Sequence, residues 1–441
     1  MKQIISFFFS VAFLFSAATA NAGALSELAA QAKSGNASSR AVPAASVPAA
    51  SASKNVGTPA ANKNAEWLVM VYIAGMNNLG IYGEAFKNVN QMELGLYEAG
   101  DAASSISIAV EYGEISSDGL GNSTIPEYLR TLMILPDGDF GKINSQVINV
   151  SRYADTGNVK TLEKFVRRVK PRFPSKKTAL IIWNHGGGIV GIASDDVYGS
   201  MMKLKNLSAT LKSLTDRFGK FDVLATDACL MQMASVAYEF KDYAKVVIGS
   251  EQPIPGAGYP YKGMIKMLAM KGSQIDASAF GKILVGGYGE QYRSGSNISL
   301  SAIDSSKFSG FVSLLNNWAG LMMSDKASFK VIAKANVLKE VSRMDSLECS
   351  RDLIHMIHTI NKQDGVSQRI KDAGTALENY ITSKLVIANY ASETEENFGL
   401  AIYLPDLRYE ANPYETLKFS ADSRWSEFVK KVLQSRLDNG W

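Results

Sequence analysis

Thr178-Ala179-Leu180-Ile181-Ile182-Trp183-Asn184-His185-Gly186-Gly187-Gly188 is the stretch whose reading decides the fold. Its first six residues form a short run rich in apolar, β-branched and aromatic side chains, and glycines close it. That pattern predicts a strand buried on both faces. A second run of the same kind, Phe221-Asp222-Val223-Leu224-Ala225-Thr226, leads into Asp227-Ala228-Cys229-Leu230-Met231. Each run ends just before a reactive side chain, His185 or Cys229. The whole chain of 441 residues holds three histidines and two cysteines, so one of each past a strand end is not a matter of composition.

Working outward, residues 67–74, 105–111, 245–250 and 299–303 read as further strands. Helical patterns cover 88–97, 159–169, 204–218 and 231–240. Strands alternating with helices predict an α/β fold whose mostly parallel central sheet is covered on both faces. In such sheets, sites collect at the carboxyl ends of the strands. After residue 297 the pattern loosens. Helices are expected around 308–323, 329–340 and 351–360, a late strand at 399–404, and a closing amphipathic helix at 425–433. The expected division is a core over 63–304 with a helical, mixed extension over 305–441 packed on it.

Residues 1–22 read as a secretory signal peptide: Lys2, an apolar stretch over 4–15, and the small-x-small site Ala20-Asn21-Ala22. Residues 23–62 are rich in Ala, Ser, Pro, Asn and Gly, as expected of a flexible linker or pro-region. The protein is therefore expected to be exported, periplasmic or secreted, with no stable membrane insertion after signal cleavage. A net charge of +4 with 20% charged residues gives no reason to expect a nucleic-acid partner. Two cysteines are not a disulfide framework, and a Cys229–Cys349 bridge would consume the reactive thiol.

The chemistry follows from residue type and place. A thiol attacks a carbonyl as its thiolate, and a nearby imidazole can take that proton and later protonate the leaving amine. The interval from His185 to Cys229 is one strand–helix–strand crossover, so the two strand ends can be neighbours. Gly186 can bring its backbone N–H close to a reacting carbonyl, with the N–H of Cys229 as the second oxyanion donor. Asp227 lies two residues before Cys229. As a carboxylate beside the nucleophile it would favour a cationic substrate residue; alternatively it caps a helix starting near Leu230. Gly186-Gly187-Gly188 as a phosphate turn is the weaker reading, because a G-x-G-x-x-G spacing is lacking. Cys349, Asp352, His355 and His358 form an i+3 series of ligand-type residues. Three-residue steps drift around a helix, so no metal site is expected there.

These motifs resemble the clostripain family of cysteine peptidases, in the same broad group as caspases, legumains and gingipains. The resemblance also rests on Trp67-Leu68-Val69-Met70-Val71-Tyr72 through Asn77-Asn78-Leu79, on Ser250-Glu251-Gln252 with Pro255-Gly256-Ala257-Gly258-Tyr259-Pro260-Tyr261, and on Gly399-Leu400-Ala401-Ile402-Tyr403-Leu404-Pro405 with Trp425-Ser426-Glu427-Phe428. It implies a caspase-like α/β/α sandwich and endopeptidase activity after Arg or Lys in protein or peptide substrates. It places His185 and Cys229 as the dyad, Asp227 in the primary specificity pocket, and Ser250 on an edge that pairs with substrate backbone. Family members are often matured by cleavage between His and Cys; Lys203 and Lys205 are the basic residues expected to serve. Some relatives use calcium, but Asp195-Asp196 falls short of the 6–8 oxygens that ion takes, so no cofactor is expected. Where the family usually carries an acid, this chain has Met76 and Asn184. A non-catalytic relative and a ligase of the same fold are the alternative functions.

Overall fold

The computed structural model describes residues 65–440, apart from 118–122, 125–127, 153, 296, 335, 336, 338–340, 342, 343, 345–349, 393–395, 407, 408 and 410. The expected signal peptide and linker lie outside the described residues, as does Cys349. A central sheet is built from β1 (Ala65–Gly75), β2 (Ile106–Glu114), β3 (Tyr128–Met133), β4 (Gln146–Arg152), β5 (Ser175–Trp183), β6 (Phe221–Asp227), β7 (Ala244–Gly249), β8 (Ser299–Asp304) and β9 (Val386–Ala391). Their spatial order is β9-β8-β7-β6-β5-β1-β2-β3-β4. The inner strands β7, β6, β5, β1 and β2 are mutually parallel. Two antiparallel strands extend the sheet on each side. This is the expected caspase-like α/β sandwich with a mostly parallel sheet.

The strand period sorts the core into two layers. Trp67, Val69, Val71 and Ile73 of β1 pack with α1 (Glu84–Ala99), while Leu68, Met70, Tyr72 and Ala74 pack on the opposite face with α2 (Val159–Val169) and α3 (Leu204–Phe218). Both sets are buried, which is why β1 reads as continuously apolar. The α2 helix shows the complementary 3.6-residue period: Leu162, Phe165, Val166 and Val169 face the sheet. Asn158 caps it by accepting from Lys160 N–H, and Arg167 and Arg168 sit in its last turn, where cations favour the dipole. The α1 layer also receives α5 (Tyr261–Lys271) and α6 (Ala277–Gln291); the α2 and α3 layer receives α4 (Ala234–Phe240) and α7 (Phe308–Ser324).

Three sheet strands were not expected: β3, β4 and β9. All lie in the antiparallel wings, and β4 and β9 are edge strands with mixed exposure, so neither carries a buried apolar run. Only pairing with a neighbour makes them strands. The expected late strand forms as Ala401–Tyr403, but it pairs with Ser350–Asp352 outside the central sheet. The expected boundary at 304 is crossed by the sheet itself, because β9 comes from the segment beyond it. Among the described residues no helix is long and apolar enough to cross a membrane.

Phe165 is wholly buried between α2 and the sheet, whereas Lys164 beside it is exposed. Phe165→Ala should cost about 3–5 kcal/mol, and Lys164→Ala less than about 0.5 kcal/mol. Denaturant midpoints of the two variants check this.

Candidate active site

The two motifs meet because β5 and β6 pair in parallel with Trp183 opposite Asp227. His185 and Cys229 thus each lie two residues beyond partnered positions. Asn184 N–H donates to the Asp227 carbonyl at 3.2 Å and carries the pairing one step past the strands. The turns then touch. A Cβ on Gly186 would stand 2.2 Å from the Cys229 carbonyl oxygen and 3.1 Å from its nitrogen, so only glycine fits there.

Asn184 locks the histidine turn. Its amide NH2 donates to the carbonyls of Ala74 and Ser194, and its oxygen accepts from the backbone N–H groups of His185 and Ser194. Asn77 holds the end of β1 in the same way, donating to Ala74 and Ser194 carbonyls at 3.1 Å each. A carboxylate at 184 could not donate to those two carbonyls, so asparagine suits this turn where the family usually has an acid. Met76 is buried against Ile115 and Val197, an apolar setting that an acid would not fill.

The Cys229 thiol is free and largely enclosed. Ile254 N–H donates to its sulfur at 3.2 Å. The backbones of Gly186 and Cys229, the expected oxyanion donors, lie against each other. Burial pushes the thiol above its ordinary range, and the nearby Asp227 charge adds to this. Burial also lowers the His185 imidazole. Both shifts favour the neutral form, thiol and imidazole alike. Nε2 of His185 lies 2.6 Å from Asn78 Oδ1, and among the described residues no hydrogen bond joins His185 to Cys229. The strand ends bring the two residues to one edge, while the imidazole is turned to Asn78. Sequence reasoning quoted Asn78 only as part of the turn after β1.

Asp227 is buried directly beneath this edge. Its Oδ2 accepts from Tyr259 N–H at 3.0 Å and from the Tyr261 hydroxyl at 2.9 Å. Its Oδ1 has no hydrogen-bond partner among the described residues. Gly258, at φ +67°, passes so close that a Cβ would lie 2.7 Å from Oδ2. Desolvation raises the carboxyl to about 7, against the lowering effect of its two donors. The capping alternative does not hold: α4 begins only at Ala234, with Met233 at its N-cap position and no side-chain cap.

Ser250 is placed differently from expectation. It is buried, its hydroxyl closes a turn with Gln252, and its carbonyl accepts from Gln232 N–H at 2.9 Å. It has no free edge to offer. Pro253, Gly256 and Ala257, on the segment that carries Ile254, are exposed. Lys203 and Lys205 are both exposed. Lys203 is extended (φ −72°, ψ 140°) just before α3, whereas Lys205 lies within its first turn. Both Asp195 oxygens are consumed by Thr156, Val197 and Tyr198, so they do not face an ion. Asp352 caps the helix Leu353–Asn361, while His355 and His358 diverge to Glu396 and Glu378. Among the described residues no group of three His, Cys, Asp or Glu could hold a metal.

A half-buried thiol and an imidazole brought past adjacent parallel strand ends, on a caspase-like α/β fold, are the arrangement of a cysteine hydrolase. The clostripain family model matches residues 71–432, and the chain belongs to that family of cysteine proteases. Clostripain from Hathewaya histolytica is 22% identical over 419 residues, covering 80% of this chain and 77% of that protein. An inactive zymogen of a C11 protease from Parabacteroides distasonis superposes with a TM-score of 0.62 at 19% identity, covering 81% of this chain and 98% of its own. A secreted C11 cysteine protease from Bacteroides thetaiotaomicron, bound to an irreversible peptide inhibitor, gives 0.59 at 19% identity, covering 82% and 99%.

A thiol raised by burial reacts only as its small thiolate fraction grows with pH. Iodoacetamide modification of Cys229, followed on its own peptide by mass spectrometry, should rise through and beyond the usual thiol range. A rate already at plateau below pH 6 would show a preformed thiolate–imidazolium pair instead.

Proposed function

We propose that the protein is an exported cysteine endopeptidase that hydrolyses peptide bonds after Arg or Lys, with Cys229 as nucleophile and His185 as its base. The observation that carries the specificity is Asp227: a buried carboxyl two residues from the thiol, held by two donors on Oδ2 while Oδ1 takes none among the described residues. A guanidinium or ammonium reaching Oδ1 would restore the charge compensation that burial removes.

The chemistry runs in two halves. Substrate displaces the Ile254 N–H from the sulfur. His185 takes the thiol proton, the sulfur bonds to the carbonyl carbon, and the oxyanion is held by the N–H groups of Gly186 and Cys229. Collapse breaks the C–N bond, and the imidazolium gives its proton to the leaving amine. Water, deprotonated by His185, then hydrolyses the thioester and regenerates the thiol. The substrate lies along the exposed backbone of residues 253–257 rather than on Ser250. The signal-like N-terminus supports export, and exposed, extended Lys203 is the better-placed of the two candidate processing residues.

The pH dependence isolates Asp227. Its carboxyl is raised to about 7, so it is ionised above that pH and neutral below. Attraction for a cationic side chain is present above about pH 7 and lost as pH falls through it. Thiol and imidazole titrations act alike on Arg and on neutral substrates, so they cancel in the ratio of kcat/KM. That ratio should fall on acidification in the native protein and stay flat and low in Asp227→Asn, by about 30-fold or more at pH 8. Cys229→Ala should abolish both activities. Equal losses on both substrates in Asp227→Asn would reject its pocket role.

Export and processing are read from masses. Protein recovered outside the cytoplasm should begin at Gly23 or later, and active material should contain a break after Lys203, absent from Lys203→Ala. An intact chain of full activity would overturn the processing reading.

A further inference from the structure

The contact between His185 Nε2 and Asn78 Oδ1, at 2.6 Å, assigns more than a neighbour to the imidazole. An amide oxygen only accepts, so Nε2 carries the ring proton and Nδ1 keeps its lone pair. We infer that Asn78 is a positioning residue that fixes the tautomer and plane of His185, making Nδ1 the nitrogen that takes the Cys229 proton. This rests on the proposed dyad.

Two observations separate this role from simple turn-building. Asn77 already performs the structural work: its oxygen accepts from Leu79 N–H at 3.0 Å and its amide nitrogen ties Ala74 and Ser194. Among the described residues, the Asn78 side chain has His185 as its hydrogen-bond partner. Asn78 is also half-exposed at the first position of the four-residue helix Asn78–Ile81, where Asn77 is the cap. Neither core packing nor capping requires an amide there.

The choice of an amide has an electrostatic sense. Burial holds the imidazole below its ordinary range, so it begins neutral and able to accept. A carboxylate in place of Asn78 would stabilise the imidazolium and keep the base occupied by a proton. With asparagine, the thiol proton moves from Sγ to Nδ1 and Nε2–H stays on Asn78 Oδ1. That hydrogen bond strengthens as the ring becomes cationic. The same proton then leaves Nδ1 for the departing amine. The turn after β1 thereby contributes to a step performed at the ends of β5 and β6.

The test uses the full chain and the variants Asn78→Ala and Asn78→Asp on an Arg-amide substrate. Asn78→Ala should lower kcat by about 10–100-fold, in the range seen when the residue orienting a histidine is removed, with KM within about twofold. Asn78→Asp keeps an acceptor and should recover most of kcat. Its acidic limb of kcat/KM should move to higher pH by about one unit, because the carboxylate raises the imidazole pKa and the base form is lost sooner on acidification. Nitrogen-15 spectra of His185, with three histidines to assign, should show the Nε2–H tautomer in the native chain and a mixture in Asn78→Ala. Native kcat in Asn78→Ala, loss in Asn78→Asp without a shifted limb, or an Nδ1–H tautomer in the native chain would each overturn the assignment. Cleavage that persists in Cys229→Ala would instead overturn the dyad reading, and the tautomer spectra would still decide what Asn78 does.

Discussion

The parallel pairing of β5 with β6, in the register that sets Trp183 beside Asp227, is the constraint on which the site depends. Because the side-chain period of a strand is two, a one-residue slip would turn Asp227 from one face of the sheet to the other. It would also part Gly186 from Cys229, whose backbones now touch. The register is held beyond the ladder by Asn184, which spends its amide on the ends of β1 and of the strand Ile192–Asp195. At the opposite end of the strands, Asp222 accepts from Thr178 N–H at 2.7 Å and from Lys245 Nζ at 2.8 Å, tying β5, β6 and β7 together. Side-chain clamps at both ends leave little freedom for the strands to slide.

That rigidity supports an electrostatically unfavourable site. Thiol, imidazole and the Asp227 carboxyl are each shifted toward their neutral forms by burial. A second buried acid lies close by. Desolvation and its neighbour Asp352 push the carboxyl of Glu251, just past β7, well above the usual carboxylate range, and it accepts from Gly399 N–H at 2.9 Å. This pair fastens the end of β7 to the C-terminal strand pair Ser350–Asp352 and Ala401–Tyr403. The segment after 304 is therefore part of the architecture that shapes the candidate active site.

What could be read from the sequence follows how local each signal is. The inner strands and α2, α3 and α7 stand in composition and periodicity, because their burial is decided by side chains within the element. The placement of His185, Cys229, Gly186 and Asp227 was legible for the same reason: each is fixed by its offset from a strand end. Asn78 was not singled out, since its partner is distant in sequence and an asparagine in a turn is ordinary. Ser250 was misplaced because its inward orientation comes from a turn with Gln252 and a bond from Gln232. The edge strands β4 and β9 were missed because they carry no continuous apolar run, and β3 because Arg130 and Thr131 interrupt its own.

By itself, then, the sequence determined the parallel core and the placement of His185, Cys229 and Asp227 at adjacent strand ends, since strand period and turn chemistry act over a few residues. Tertiary structure alone decided the sheet's wings, the seating of Ile254 on the thiol, the burial that keeps Asp227 near neutrality, and the turning of His185 to Asn78. Each of these depends on which distant backbone a side chain meets once the layers pack, and on the water that packing removes, neither of which a local pattern encodes.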